Sequence, residues 1–109
     1  MAPKVDTNCQ AFQTALDVLG RQWTAQILNC LQDGSLRFGE IGERAEGIGD
    51  KVLSARLKDL EARGLLVRSV EAGPPVRVTY ALTELGRSFN RVARSIHRWG
   101  AELVEAAQR

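Results

Sequence analysis

A chain of 109 residues is the size of a single domain, with room for one core and little to spare. Its 44% hydrophobic and 26% charged residues exclude a wholly disordered chain, and no run comes near the roughly 18 apolar residues of a membrane span. A formal net charge of +2 neither demands nor excludes a nucleic acid, so the placement of the charges has to decide.

Residues 1–8 are polar and are expected to form a flexible tail ahead of one domain, residues 9–109. The start, Met1-Ala2-Pro3-Lys4-Val5-Asp6, has no apolar signal-peptide segment, which makes a cytoplasmic location the expectation. Phe12, Ala15, Leu16 and Leu19 recur at helical spacing and predict a first helix over Cys9 to Leu19, ended by Gly20. A second helix is predicted from about Gln22 to Gln32, stopped by Asp33-Gly34. After a short extended Leu36-Arg37-Phe38, the apolar positions Phe38, Ile41 and Ala45 fit a short third helix that Gly39 and Gly42 weaken. The turn Glu46-Gly47-Ile48-Gly49 leads to a fourth helix, about Asp50 to Arg63, with Leu53, Leu57 and Leu60 as its inward stripe.

The period then changes. Leu65 through Val70 reads as a strand. Val76, Val78, Tyr80 and Leu82 alternate with Arg77, Thr79 and Ala81 as a second, half-buried one. Pro74-Pro75 belongs at the hairpin tip, because proline cannot donate to a sheet ladder. Thr83 is a good N-cap for a last helix running to about Ala107. The predicted fold is mainly α with a small β-hairpin: two helices joined by a glycine-bearing turn, then a hairpin, which is a winged helix-turn-helix.

Four ordered segments resemble the HxlR-type transcriptional regulators. They are Leu16-Asp17-Val18-Leu19-Gly20-Arg21-Gln22-Trp23-Thr24, Leu36-Arg37-Phe38-Gly39-Glu40-Ile41, the stretch Lys51 to Leu65, and the wing segment Pro74 to Gly86. The resemblance spans roughly Cys9 to Gly100. It implies a homodimeric bacterial regulator that binds double-stranded DNA, in some members in response to redox or electrophilic stress, with a small molecule or oxidant as effector. The sequence departs from the family pattern at Gly49, where a serine is common, at Gly42, where bulkier residues are usual, and at Gln10, where a proline often follows the N-terminal cysteine.

Between Lys51 and Arg68 stand five basic residues against two acidic ones. Counted at about 100° per residue, Lys51, Ala55 and Lys58 oppose the leucine stripe, with Ser54 beside them. In a major groove, Lys51 and Lys58 suit phosphates or guanine edges, Ser54 a base or a phosphate, and Ala55 a thymine methyl. Arg56 lies toward the core flank, where it can meet the DNA backbone or pair within the protein. Arg77 on the wing suits a minor groove or its phosphates, and Arg37 is a further phosphate candidate. The alternative is a solvated amphipathic helix in a winged protein-interaction module.

The last helix carries a heptad-like seam of Leu85, Phe89, Val92, Ile96, Trp99 and Leu103, too long for one small domain to cover. With Phe12 and Leu16 it is read as a dimer interface, its Leu85 end packing on the domain's own core. Cys9 would sit at the start of the first helix, where a helix N-terminus favours a thiolate. The family resemblance makes it a candidate redox sensor, and an inert thiol is the other reading. Cys30 lies on an apolar helix face and reads as core. There is no glycine-rich phosphate loop after a strand, no paired metal-binding histidines and no nucleophile with a histidine partner, so neither catalysis, a cofactor nor a metal is expected.

Overall fold

The structure, a computed structural model, describes residues 2–109, so Met1 of the expected tail lies outside the described residues. Six helices and three strands follow in the order α1 (Gln10–Leu19), α2 (Thr24–Cys30), β1 (Leu36–Arg37), α3 (Phe38–Arg44), α4 (Asp50–Ala62), β2 (Leu66–Glu71), β3 (Arg77–Leu82), α5 (Glu84–Arg87) and α6 (Phe89–Ala107). The tail is fastened near α1: Asn8 N donates to Asp6 Oδ1 at 2.9 Å, and Gln13 Nε2 to the Thr7 carbonyl at 2.6 Å.

The core is built from α2, α3, α4 and the sheet. Ile27, Leu28, Ile41, Leu53, Leu57, Leu60 and Leu66 are each no more than 2% exposed, and Leu36, Leu82 and Phe89 close the cluster. Burying each such side chain contributes about 1.5–3 kcal/mol.

The helix-turn-helix pair, α3 and α4, is framed by local signals. The Arg37 backbone N–H donates to Glu40 Oε1 at 2.9 Å, which caps α3 and lets it form despite its two glycines. The turn between the helices needs Gly47. Its φ is +96°, and a Cβ there would stand 3.3 Å from the Trp23 ring. Trp23 itself takes φ 78° at the start of α2, an unusual backbone for a bulky residue. It thereby brings its ring over that turn. Helix α4 closes with Gly64 at φ 79°, Leu65 N bonding the Leu60 carbonyl at 3.0 Å and Gly64 N the Glu61 carbonyl at 3.0 Å.

Four expectations are corrected. The second helix begins at Thr24 rather than Gln22, because Trp23 is left-handed, and its last turn tightens into a 3-10 turn, Leu31–Asp33. The first long strand is Leu66–Glu71, and of its residues only Leu66 is buried. The hairpin gains a third strand: β1 pairs antiparallel with β3 through Leu36↔Tyr80 and Arg37↔Thr79, giving the order β1-β3-β2. The single last helix is two, broken at Ser88. Thr83 caps α5 by accepting from Gly86 N at 3.1 Å and donates to the Gly64 carbonyl at 2.7 Å. This draws α5 so close to Leu65 that any Cβ on Gly86 would collide with the Leu65 carbonyl.

Candidate nucleic-acid interface

Helix α4 offers three flanks. Leu53, Leu57 and Leu60 are sealed in the core. Opposite them, Lys51, Ala55 and Lys58 are exposed, with Ser54 half-buried at their side. The apolar stripe therefore turns two cations, a methyl and a hydroxyl outward together, as the sequence pattern requires. The helix starts at Gly49, whose extended backbone (φ −81°, ψ 155°) suits an N-cap but supplies no side-chain bond. Asp50 in the first turn complements the helix dipole.

The third flank carries Arg56, Asp59 and Arg63, and it is bound to the protein itself. Arg56 Nε donates to the Gln22 carbonyl at 2.8 Å. Of the two roles open to Arg56 in the sequence, the structure shows the internal one, with a backbone carbonyl in place of an acidic partner. Arg63 Nη2 reaches Asp17 Oδ2 at 2.9 Å, and its Nε reaches Asp59 Oδ2 at 3.2 Å. Burial by itself would lower the Arg63 pKa; the bonds to Asp17 and Asp59 outweigh it and leave the guanidinium held as the cation. Sequence reasoning counted Arg63 only as part of a basic window. The seven-residue spacing from Arg56 was the available signal, and their partners in α1 and its following turn carried none.

The wing pairs β2 with β3 in the register Leu66↔Leu82 to Glu71↔Arg77. Side chains alternate faces along a strand, so Leu36, Leu66 and Leu82 share the core face while Arg77 and Arg37 share the other. Both arginines are exposed. Glu71 stands opposite Arg77 in the register, which tempers the positive potential at the tip.

The seam residues behave unequally. Leu16, Val92, Ile96, Trp99 and Leu103 are all exposed, Trp99 by 64%, and Phe12 is half-buried. Phe89 is 8% exposed and belongs to the domain's own core, so its assignment to a dimer interface is corrected. Leu85, expected on the core, is 59% exposed. The helical pairing is interrupted at Ser88, between the exposed Leu85 and the buried Phe89. Between α1 and the α5–α6 junction runs an apolar groove of about 460 Å³, lined by Ala11, Ala15, Val18, Leu85 and Val92 among others, and it opens onto the seam.

Cys9 is the N-cap of α1 and partly exposed; its Sγ accepts from Phe12 N at 3.4 Å. Cys30 bonds the Ile27 carbonyl at 3.2 Å, and burial pushes its thiol up while Arg44 pulls the other way. Among the described residues, no His, Cys, Asp and Glu side chains group as a metal site, and no helix is long and apolar enough to cross a membrane.

The HxlR-like helix-turn-helix family matches residues 18–108. The transcriptional regulator YvaP of Bacillus subtilis is 37% identical over 97 residues, 89% of this chain and 90% of that protein. YodB, a transcriptional regulator of the same organism, is 36% identical over 100 residues, 92% of this chain and 89% of that protein. The reduced form of YodB superposes with a TM-score of 0.79 at 37% identity, covering 84% of this chain and 89% of that one. YodB has also been solved after diamide treatment and with quinone bound. The redox regulator HypR in its reduced form gives a TM-score of 0.81 at 29% identity, covering 91% of this chain and 98% of that one. These relatives are named as regulators, not as enzymes, and the chain belongs to the HxlR-like helix-turn-helix family of DNA-binding transcriptional regulators.

Proposed function

We propose that the protein is a cytoplasmic homodimeric repressor that reads a palindrome-like operator through the outer face of α4. One observation carries the reading: Lys51, Ala55 and Lys58 stand exposed opposite a sealed leucine stripe, on a helix followed by a wing. Lys51 and Lys58 meet phosphates or guanine edges, Ser54 a base or phosphate, and Ala55 a thymine methyl. Arg77 and Arg37, on one face of the sheet, extend the phosphate contacts. Phe12, Leu16, Val92, Ile96, Trp99 and Leu103 form the dimer seam. A two-fold dimer presents its two recognition helices about 34 Å apart, one turn of DNA. The test is selection of bound sequences from a random duplex library, followed by titration in salt. Replacing Lys51 or Lys58 by alanine is expected to flatten the salt dependence by about one released counterion per half-site. A selection that enriches no sequence sinks operator reading.

A thiol-responsive mode is supported by Cys9 at the N-cap of α1, half-open to solvent, and by relatives solved in diamide-treated and quinone-bound forms. Diamide is expected to release operator DNA from the parent but not from Cys9→Ser. Equal behaviour of the two proteins removes Cys9 as the sensor.

A further inference from the structure

Two bonds fasten the recognition helix to α1 and to the turn that follows it. Arg63, at the end of α4, holds Asp17 of α1 at 2.9 Å, and Arg56, two turns earlier, holds the Gln22 carbonyl at 2.8 Å. Residues seven apart return to the same side of a helix, so the two arginines share a flank and act about 10 Å apart along the axis. The leucine stripe decides which side of α4 faces inward. Apolar burial is non-directional, however, and leaves small rotations and slides of the helix weakly defined. Hydrogen bonds have direction. Two of them, one near each end of a flank, fix both rotation and slide.

We propose that Arg56 and Arg63 are positioning residues for DNA recognition: by pinning α4 to Gln22 and Asp17 they set the angle at which the Lys51–Lys58 face meets the duplex, and they carry displacements of α1 to that face. Helix α1 is the element that bears Cys9 at its N-cap and Phe12 and Leu16 of the seam. An event at its exposed side therefore has a short route to the recognition helix, through two contacts that touch no DNA themselves. The inference rests on the reading of α4 given under Proposed function.

The experiment measures the affinity of the full-length protein for a selected duplex and for a random duplex of equal length, across a salt series. Asp17 is 57% exposed in its side chain, so Asp17→Ala and Asp17→Asn leave the core untouched. Both are expected to weaken binding to the selected duplex roughly tenfold, the scale of one mismatched base pair. Random-duplex affinity stays within about twofold and the salt slope is unchanged. Arg63→Ala is expected to do the same, and the Asp17→Ala, Arg63→Ala double variant to lose no more than either single one. A merely structural role lowers both affinities together, in proportion to the folded fraction. Asp17 variants that keep the full preference for the selected duplex overturn the inference while operator reading stands. So does an Arg63→Ala protein whose salt slope drops by about one per half-site, since Arg63 would then be touching phosphate. A parent protein with no preference for any duplex overturns operator reading, and this inference with it.

Discussion

Two regions of this small protein treat their apolar residues in opposite ways. From α2 through α4 the chain hides most of them: Ile27, Ile41, Leu53 and Leu60 are fully enclosed. In α1 no residue is buried, and in the nineteen residues of α6 only Phe89 is. Both regions are amphipathic helices by pattern, so the difference lies in what covers them. The first region supplies its own cover, each helix closing on another or on the sheet. Helix α6 has no such cover along most of its length and leaves Ile96, Trp99 and Leu103 facing water. In the dimer proposed above, a second copy of the chain covers that seam.

The sharpest way to break this contrast is to hollow each region in turn. Leu53→Ala removes a fully buried side chain from the recognition helix and is expected to cost about 2–5 kcal/mol in urea unfolding, independent of protein concentration. A loss below about 1 kcal/mol would mean that the recognition half is not a self-supporting core. On the exposed side, Ile96→Asp is expected to leave the circular dichroism of the domain unchanged. It should raise the dimer dissociation constant at least about a thousandfold, because a two-fold dimer loses the anchor from both copies, at about 2–3 kcal/mol each. Sedimentation equilibrium reads this directly, and an unaltered oligomer would move the interface off α6.

The sequence disclosed these two regions unevenly. Inside the recognition half, local rules sufficed: the leucine stripe at Leu53, Leu57 and Leu60, the stop at Gly64 and the alternation of β3 each follow from short-range chemistry. The failures came where a long-range contact decides. Leu36-Arg37 is too short to look like a strand until β3 lies beside it. Trp23 is left-handed and its ring lies against Gly47, a neighbour far along the chain that local spacing does not reveal. The start of the last helix is set by contacts with distant residues, Thr83 bonding Gly64 and Gly86 lying against Leu65, and local spacing did not show that Phe89 is buried there and Leu85 exposed. The outward face of α4 was legible. The flank that binds Asp17 and Gln22 was not, since nothing local marks an acidic residue forty-six positions away as a partner.

The two cysteines sharpen the same contrast at smaller scale. Both thiols are partly exposed, Cys9 at the start of the uncovered α1 and Cys30 against the edge of the core. Burial holds the Cys30 thiol above its ordinary range, so at neutral pH less of it is the reactive thiolate. Its labelling should climb only as the pH rises past that ordinary range, because deprotonation is the step that burial opposes. With a maleimide-type reagent on the native protein at neutral pH, Cys9 is expected to react faster than Cys30. Mass mapping of early time points distinguishes them. Equal rates would show that partial burial against the core does not protect Cys30.

The finest change concerns Gly49, the N-cap of α4. The residue already has N-cap geometry, and a Cβ placed on it meets nothing within 4 Å, so a serine fits without disturbing a neighbour. Its hydroxyl can accept from the free N–H of Lys51 or Val52, a bond that glycine cannot offer, and the expected gain is only about 0.3 kcal/mol. Such a gain appears as a small rise in the urea midpoint with an unchanged slope. The more telling readout is affinity. A hydroxyl at the first turn of α4 also faces the side from which a phosphate would approach a helix N-terminus. Tighter binding of random and selected duplexes alike would place the start of α4 against the DNA backbone. A stabilised protein with unchanged affinity for both would mean that the backbone passes elsewhere, and that α4 enters the groove farther along, nearer Lys58 than Lys51.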